Sequence, residues 1–214
     1  MVLPVEVAEA AMRCEQKENL ARVQAWLDSG GDVNDNNDDG TLLNWCTSAL
    51  RIVDAHVSLA RTLIALGADV NIRIGHDYGT TRPTPLHHAS YGHGVASLDM
   101  IRLLLDAKAN PNAKDEMWPD VKVAPLFNAI HSIVPRREPR FAFRFRITRM
   151  LLRAGASLDS FRNDRTIEFV MQAKETYEPR LLEYDHWLET KALIAGVRKH
   201  GTYKKYMRAP HRTF

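Results

Sequence analysis

Three histidines near the middle of the chain, His87, His88 and His93, are the first candidates for chemistry. Histidine is the commonest metal ligand in proteins, and its imidazole also transfers protons near neutral pH. A metal site needs several ligands that face one point, and no paired cysteine or carboxylate stands at ligand spacing here. His87 and His88 also cannot both share a helix face with the same neighbour. The sequence therefore predicts no metal site.

Local enzyme motifs are the next features to test. Residues 91–94 contain two glycines, but the Gly-Lys-Ser/Thr ending and the preceding strand of a phosphate loop are missing. The sequence has no nucleophile elbow, no His-Glu-x-x-His motif and no carboxylate pair in a recognisable frame. We therefore predict a protein that is not an enzyme, with no catalytic residues and no cofactor.

An arginine-rich segment at residues 135–146 alternates phenylalanines with guanidinium groups. Such a composition can stack on bases and pair with phosphates. Helical spacing supports another interpretation, because Phe141, Phe145 and Thr148 would share one face of a helix. We favour this second interpretation, in which the phenylalanines belong to the core and the arginines form the solvated face.

Charge is distributed unevenly along the chain, although its net value is only +3. Residues 1–134 and 154–189 carry net charges of −6 and −4, whereas residues 135–153 and 190–214 carry +6 and +7. If helices that follow one another in a stack bring the two basic segments together, they could bind nucleic acid or an anionic surface. The candidate residues for such contacts are Arg136, Arg137, Arg140, Lys204, Lys205 and Arg208.

One phrase occurs twice in the chain, at residues 63–71 (LIALGADVN) and at residues 104–112 (LLDAKANPN). Each copy combines an apolar helix end, a small-residue stop and a polar turn that ends in asparagine. Between the copies, residues 84–89 read TPLHHA. Thr84 can cap a helix through its hydroxyl group, and a proline suits the first helical position. Gly67 can adopt the left-handed conformation that closes a helix.

This pattern resembles the ankyrin repeat, whose period is about 33 residues. The resemblance covers roughly residues 5–195, with degenerate copies of the helix start spaced 43, 40 and 42 residues apart, at Thr41, Thr84, Ala124 and Thr166. It implies an all-α solenoid of about five helix pairs, because one pair is too small to bury its own apolar face. Elongated β-turn or loop fingers are expected after Asn71 and Asn112.

The predicted domain division follows from this resemblance. We expect an ankyrin-repeat domain at residues 1–200 and a basic C-terminal tail at residues 201–214. The apolar pattern from Tyr177 to Val197 predicts a final helix that closes the stack. The low apolar content from Tyr203 to Phe214 predicts an extended or mobile segment.

The resemblance also implies a function, as a scaffold or adaptor that binds another protein through finger loops and the concave helix face. Loops carry recognition, and aromatic, Met and Arg side chains dominate interface energetics. The expected contact residues are His76, Tyr78, Arg82, Tyr91, Met117 and Trp118. Asn71 looks like the finger asparagines that oxygen-dependent hydroxylases modify, although we favour a plain turn residue. The alternative function is the nucleic-acid or anionic-surface adaptor described above.

The expected compartment follows from what the chain contains. No apolar run approaches the roughly 18 to 20 residues that span a bilayer, and the first residues lack the layout of a signal peptide. Cys14 and Cys46 are too few for a disulfide framework, and we expect them to be reduced core thiols. The sequence therefore predicts an intracellular protein, cytoplasmic or nuclear, and we expect a monomer.

Overall fold

The computed structural model of the protein describes residues 2–49, 51–73, 83–92, 94–118, 121–131, 139–159 and 166–209, with the backbone alone at residues 116–118, 121–122 and 139–141. Within these ranges the chain forms five successive helix pairs. The pairs are α1 (Val5–Met12) with α2 (Lys17–Asp28), α3 (Leu42–Thr47) with α4 (Asp54–Ala65), α5 (Pro85–Tyr91) with α6 (Val95–Asp106), α7 (Pro125–His131) with α8 (Pro139–Arg153), and α9 (Ile167–Tyr177) with α10 (Asp185–His200).

Short elements complete the described part of the chain. Two antiparallel hairpins precede α3 and α7, and a 3-10 helix and a last α-helix flank α10. These elements are β1 (Asn36–Asn37) with β2 (Gly40–Thr41), β3 (Asp115–Trp118) with β4 (Val121–Val123), the 3-10 helix Pro179–Glu183, and α11 (Tyr203–Arg208).

The helices stack in two layers. The first helices of successive pairs contact one another from α1 through α3, α5 and α7 to α9, and the return helices do so from α4 through α6 and α8 to α10. The core lies between the layers, and its fully buried side chains come from every pair, as with Val23, Leu63, Leu86, Leu104, Leu126 and Trp187. This arrangement confirms the predicted all-α helical solenoid.

Threonine hydroxyls cap two of the helix starts that the sequence predicts, at Thr41 and Thr166, whereas the Thr84 hydroxyl lies 2.8 Å from Nδ1 of His87. At α3, the Thr41 hydroxyl accepts from the Asn44 N–H at 3.4 Å, while Asn44 Oδ1 accepts from the Thr41 N–H at 3.2 Å. The Thr166 hydroxyl accepts from the Phe169 N–H at 3.3 Å at the start of α9. Each such bond satisfies a backbone donor that the first helical turn leaves unpaired.

Four return helices end in the same left-handed turn. After α4, the Gly67 N–H donates to the Ile64 carbonyl and the Ala68 N–H donates to the Leu63 carbonyl, both at 3.0 Å. This pair of bonds defines the Schellman motif, whose left-handed residue favours glycine because a Cβ is strained there. The left-handed residues have φ values of 94°, 94°, 70° and 96° at Gly30, Gly67, Lys108 and Gly155.

Replacing Lys108 by glycine is expected to stabilise the protein by about 0.5 to 1 kcal/mol, because relief of the left-handed strain exceeds the added entropy of the unfolded chain. Chemical denaturation measures the change. Gly67→Ala is the matched control, and we expect it to lower the stability of the protein. Its new Cβ would meet no atom within 4 Å, so only backbone strain is added. A Lys108→Gly variant that is less stable than the wild type would contradict a strained left-handed conformation at Lys108.

The final helix begins later than the sequence predicts. The expected helix from Tyr177 is interrupted at Pro179, and the chain forms a 3-10 turn before α10 starts at Asp185. Proline lacks the backbone donor and excludes the residue before it from the helical region. Glu178 accordingly has φ −133° and ψ 68°.

The expectation of an extended segment from Tyr203 is wrong for residues 203–208. These residues form α11, whose start is capped by the Thr202 hydroxyl and which packs against α8 and α10. Tyr203 is only 9% exposed. A Cβ on Gly196 would lie 2.3 Å from Cε2 of Tyr206, so the missing side chain on α10 makes room for α11.

Candidate functional site

Three asparagines join successive repeats through the same pair of hydrogen bonds. Asn34 Nδ2 donates to the carbonyl of Gly67 at 3.0 Å, and its Oδ1 accepts from the Asp69 N–H at 2.8 Å. The pair recurs at 2.7 to 3.1 Å from Asn71 to Lys108 and Asn110, and from Asn112 to Gly155 and Ser157. This asparagine ladder ties each turn to the next one.

Asn71, the predicted hydroxylation candidate, is a member of this ladder. Its amide nitrogen donates to the Lys108 carbonyl, its amide oxygen accepts from Asn110, and its own N–H donates to Asp69 Oδ1 at 2.8 Å. These contacts are the ones that a turn residue makes. Hydroxylation of Asn71 stays a prediction.

His87 holds α5 to the second finger. The Val123 carbonyl, 3.0 Å away, only accepts hydrogen bonds, so Nε2 of His87 carries the proton and donates to it. Nδ1 therefore accepts, and both the N–H and the hydroxyl of Thr84 lie within reach, at 3.3 and 2.8 Å. Burial lowers the pKa of His87 to about 4, which keeps the imidazole neutral.

The other two histidines that the sequence analysis considered are placed differently. His88 is half-buried on α5, and His93 lies outside the described residues. Among the residues that the structure describes, no three His, Cys, Asp or Glu side chains converge in a way that could hold a metal ion.

Tyr91 is the predicted contact residue whose side chain the structure describes. It ends α5 and is 36% exposed. Burial raises the pKa of its phenol, as does the nearby Asp115, while Arg144 opposes the shift. Tyr91 is thus a neutral aromatic group with a hydroxyl that can both donate and accept.

Arg144 anchors the backbone at this position. Although it belongs to α8, its Nη1 donates to the Ser90 carbonyl at 2.6 Å and its Nη2 donates to the Tyr91 carbonyl. Carbonyls at a helix C-terminus lack intrahelical partners and favour a cation. The expectation of a fully solvated arginine face is therefore wrong at Arg144, which is only 6% exposed. Phe145 packs on the core and Thr148 is buried, as expected, and Phe143 packs on the core too, whereas the side chain of Phe141 lies outside the described residues.

The remaining predicted contact residues belong to the fingers. His76, Tyr78 and Arg82 lie outside the described residues. Met117 and Trp118 lie on β3, where the structure gives the backbone alone. Their part in recognition stays a prediction.

The predicted anion-binding residues separate into two sets. Arg136 and Arg137 lie outside the described ranges, and Arg140 lies in the first turn of α8 with only its backbone described. The other three are exposed on α11, and the structure places two of them, Lys204 and Arg208, in a groove.

This groove lies between α6, α8 and α11 and has a volume of about 720 Å³. We call it the basic groove. Its charged lining residues are Arg102, Arg146, Arg149, Arg153, Lys204 and Arg208, and its other lining residues are Leu98, Met150, Tyr203 and Met207. The groove thus joins the two basic segments that the sequence places far apart. Sequence reasoning missed Arg102, which lies in neither segment.

A second groove, of about 370 Å³, lies next to it between α4 and α6. Its carboxylates come from Asp54, Asp99 and Asp106, and Arg61 and Arg102 line it too. Positive charge is therefore concentrated in the basic groove rather than spread along the return helices.

Both cysteines are buried free thiols, as predicted. Cys46 Sγ donates to the His56 carbonyl at 3.2 Å. The contact between the two thiols lowers the pKa of Cys14 and, together with burial, raises the pKa of Cys46.

A family model of the ankyrin repeat matches residues 84–116, which span α5, α6, the turn at Lys108 and the start of β3. Ankyrin repeats are typically non-enzymatic modules that mediate protein–protein interaction. A search of curated proteins gave no match. Within the described ranges, no helix has both the length and the apolar character needed to cross a membrane. The chain is therefore a helical repeat protein that contains an ankyrin repeat.

Proposed function

We propose that this protein is a non-enzymatic scaffold that binds a partner protein across its first helices and fingers, here called the first-helix face. The observation that carries the proposal is the asparagine ladder, formed by Asn34, Asn71 and Asn112. It holds the turns of successive repeats in one arrangement before any partner arrives. A preorganised surface loses less conformational entropy on binding than a flexible one.

Side chains suited to recognition occur at repeated positions of this face. Tyr91 and His131 are the last residues of α5 and α7, and both are exposed. The His131 ring stacks on Phe127 with 4.8 Å between centroids. On α3, Trp45 is half-buried, and its Nε1 donates to Asn37 Oδ1 in the first hairpin at 3.3 Å. Anchored aromatic groups of this kind dominate the energetics of protein interfaces.

The test is affinity capture with the full chain as bait, followed by quantitative mass spectrometry. A partner of the first-helix face should be depleted about tenfold or more when Tyr91→Ala and Trp118→Ala are combined, because hot-spot truncations cost about 2 kcal/mol or more. Leu20→Ala and Leu188→Ala are matched controls, since both are exposed apolar residues on return helices. They should leave that partner bound.

Purified components then give the affinity directly. Titration of the captured partner should show weaker affinity for the Tyr91 and Trp118 double variant than for the wild type. The Leu20 and Leu188 variants should bind with the affinity of the wild type. The proposal fails if every partner remains bound to the Tyr91 and Trp118 double variant, or if Leu20→Ala releases partners equally.

A further inference from the structure

We propose that the basic groove binds an acidic segment of a partner protein in which carboxylates alternate with apolar side chains. The groove lies on the return helices and α11. It therefore forms a second interaction surface, separate from the first-helix face of the proposed function.

Uncompensated charge is the first argument. Arg102 has an ion pair, because its Nη1 lies 2.6 Å from Asp99 Oδ1. Within the part of the chain that the structure describes, no ion pair is formed by Arg146, Arg153, Lys204 or Arg208. Like charges at close range repel, and an anionic occupant relieves that repulsion. Guanidinium groups also bind carboxylates through paired, charge-assisted hydrogen bonds.

The apolar lining of the groove is the second argument. It favours a peptide with apolar side chains over a ligand that is only anionic. Leu98 is buried, and Met150 and Met207 are half-buried and pack against the core. Methionine adapts its shape to apolar ligands, and both Met and Arg are enriched at protein interfaces. A ligand that contacts both the charged and the apolar lining residues must therefore present carboxylates together with apolar side chains.

Single-stranded nucleic acid fits the same lining less well. Bases bind without sequence preference by stacking on exposed aromatic rings. The aromatic ring in the lining, Tyr203, is buried, and its hydroxyl accepts from Nε of Arg149 at 3.1 Å. The ring is thus part of the wall and not a stacking platform.

The neighbouring groove argues against a long polyanion such as duplex DNA. A duplex that followed the return helices away from the basic groove would meet Asp54 and Asp106 between α4 and α6. Phosphates next to those carboxylates repel. A short peptide segment is confined to the basic groove and avoids them.

Helix α11 forms one wall of the basic groove, and contacts with α8 and α10 hold it in place without a ligand. Tyr206 packs close to Gly196 of α10, the Thr202 hydroxyl caps the helix by accepting from Lys205 N–H at 3.2 Å, and Arg149 bonds to Tyr203. These contacts orient Lys204 and Arg208 towards the groove and leave Lys205 outside its lining. Lys204 lines the groove and Lys205 does not, although both are exposed lysines on the same helix, so Lys205 is the matched control for Lys204.

The experiment is a fluorescence anisotropy titration of the full chain with a labelled short peptide in which Glu alternates with Leu. Lys204→Glu combined with Arg208→Glu should weaken binding about tenfold or more, since both charge-assisted hydrogen bonds to the peptide carboxylates are lost. Arg153→Glu, on α8, should weaken it in the same direction and does not depend on the integrity of α11. Lys205→Glu should change the affinity by less than about twofold, since exposed charges outside the contact are screened.

Peptide variants and competing probes complete the design. Replacing Glu by Gln, or Leu by Ser, should each weaken binding. The proposal is overturned if the Gln peptide binds equally well, or if Lys205→Glu weakens binding as much as Lys204→Glu with Arg208→Glu. It is also overturned if single-stranded oligothymidylate or phosphatidylserine vesicles bind more tightly than the peptide. Tyr91→Ala should not alter peptide binding, so failure here leaves the proposed function standing.

Discussion

Acidification from pH 6.5 to about 4 is expected to lower the free energy of unfolding by roughly 3 kcal/mol through His87 alone. Burial lowers the pKa of His87 to about 4 in the folded protein, against 6.5 for a free imidazole. Well above pH 6.5 both states are neutral, so His87 adds no pH dependence there. Below that value only the unfolded state takes up the proton, and stability falls by about 1.4 kcal/mol for each pH unit.

Urea denaturation across this pH range measures the effect. His87→Gln is the comparison variant, because glutamine keeps an N–H that can reach the Val123 carbonyl but does not titrate. Other groups titrate in both proteins, so the difference between the two curves isolates His87. Curves that run parallel between pH 6.5 and 4 would contradict a buried neutral imidazole at this position.

Arg144→Met is expected to lower the free energy of unfolding by about 3 kcal/mol, because hydrogen bonds from charged donors contribute about 1.5 to 3 kcal/mol each. Methionine retains much of the aliphatic volume of the arginine, so the loss comes mainly from the carbonyls of Ser90 and Tyr91. Those carbonyls end α5 and have no other donor of comparable strength from their own helix.

The matched control for this variant is Arg146→Met, two residues further along α8, where the arginine is exposed. It should change stability by less than about 0.5 kcal/mol. Chemical denaturation gives both values, and hydrogen exchange should show faster opening at the end of α5 in Arg144→Met only. Equal losses in the two variants would show that Arg144 acts through surface charge instead.

Much of the architecture could be predicted because the relevant physics lies within a few adjacent residues. The cap at Thr41 needs only a residue three positions later, and the stop at Gly67 needs only a residue that tolerates positive φ. Asn71 was expected in a turn, and its backbone N–H donates to the Asp69 carboxylate in that turn. These features repeat, so even degenerate copies indicate the stacking of helix pairs.

The error at the C-terminal end of the described chain has a different cause. The extended segment expected from Tyr203 proved helical up to Arg208, because α11 is stabilised by contacts with α8 and α10. Gly196 reads as a weak position in a helix, yet it is the place where Tyr206 fits. Nothing in the local pattern from Tyr203 onwards encodes that contact.

The local chemistry of the chain is sufficient to specify turns, caps and helix pairs, since each depends on hydrogen bonds between residues close in sequence. Which charges act together was decided by tertiary packing. Arg102 and Lys204 line the same groove although about half the chain separates them, and Arg144 is buried while Arg146 beside it is solvated. Such outcomes depend on how whole helices are placed against one another, and the spacing of residues along a single helix does not contain that information.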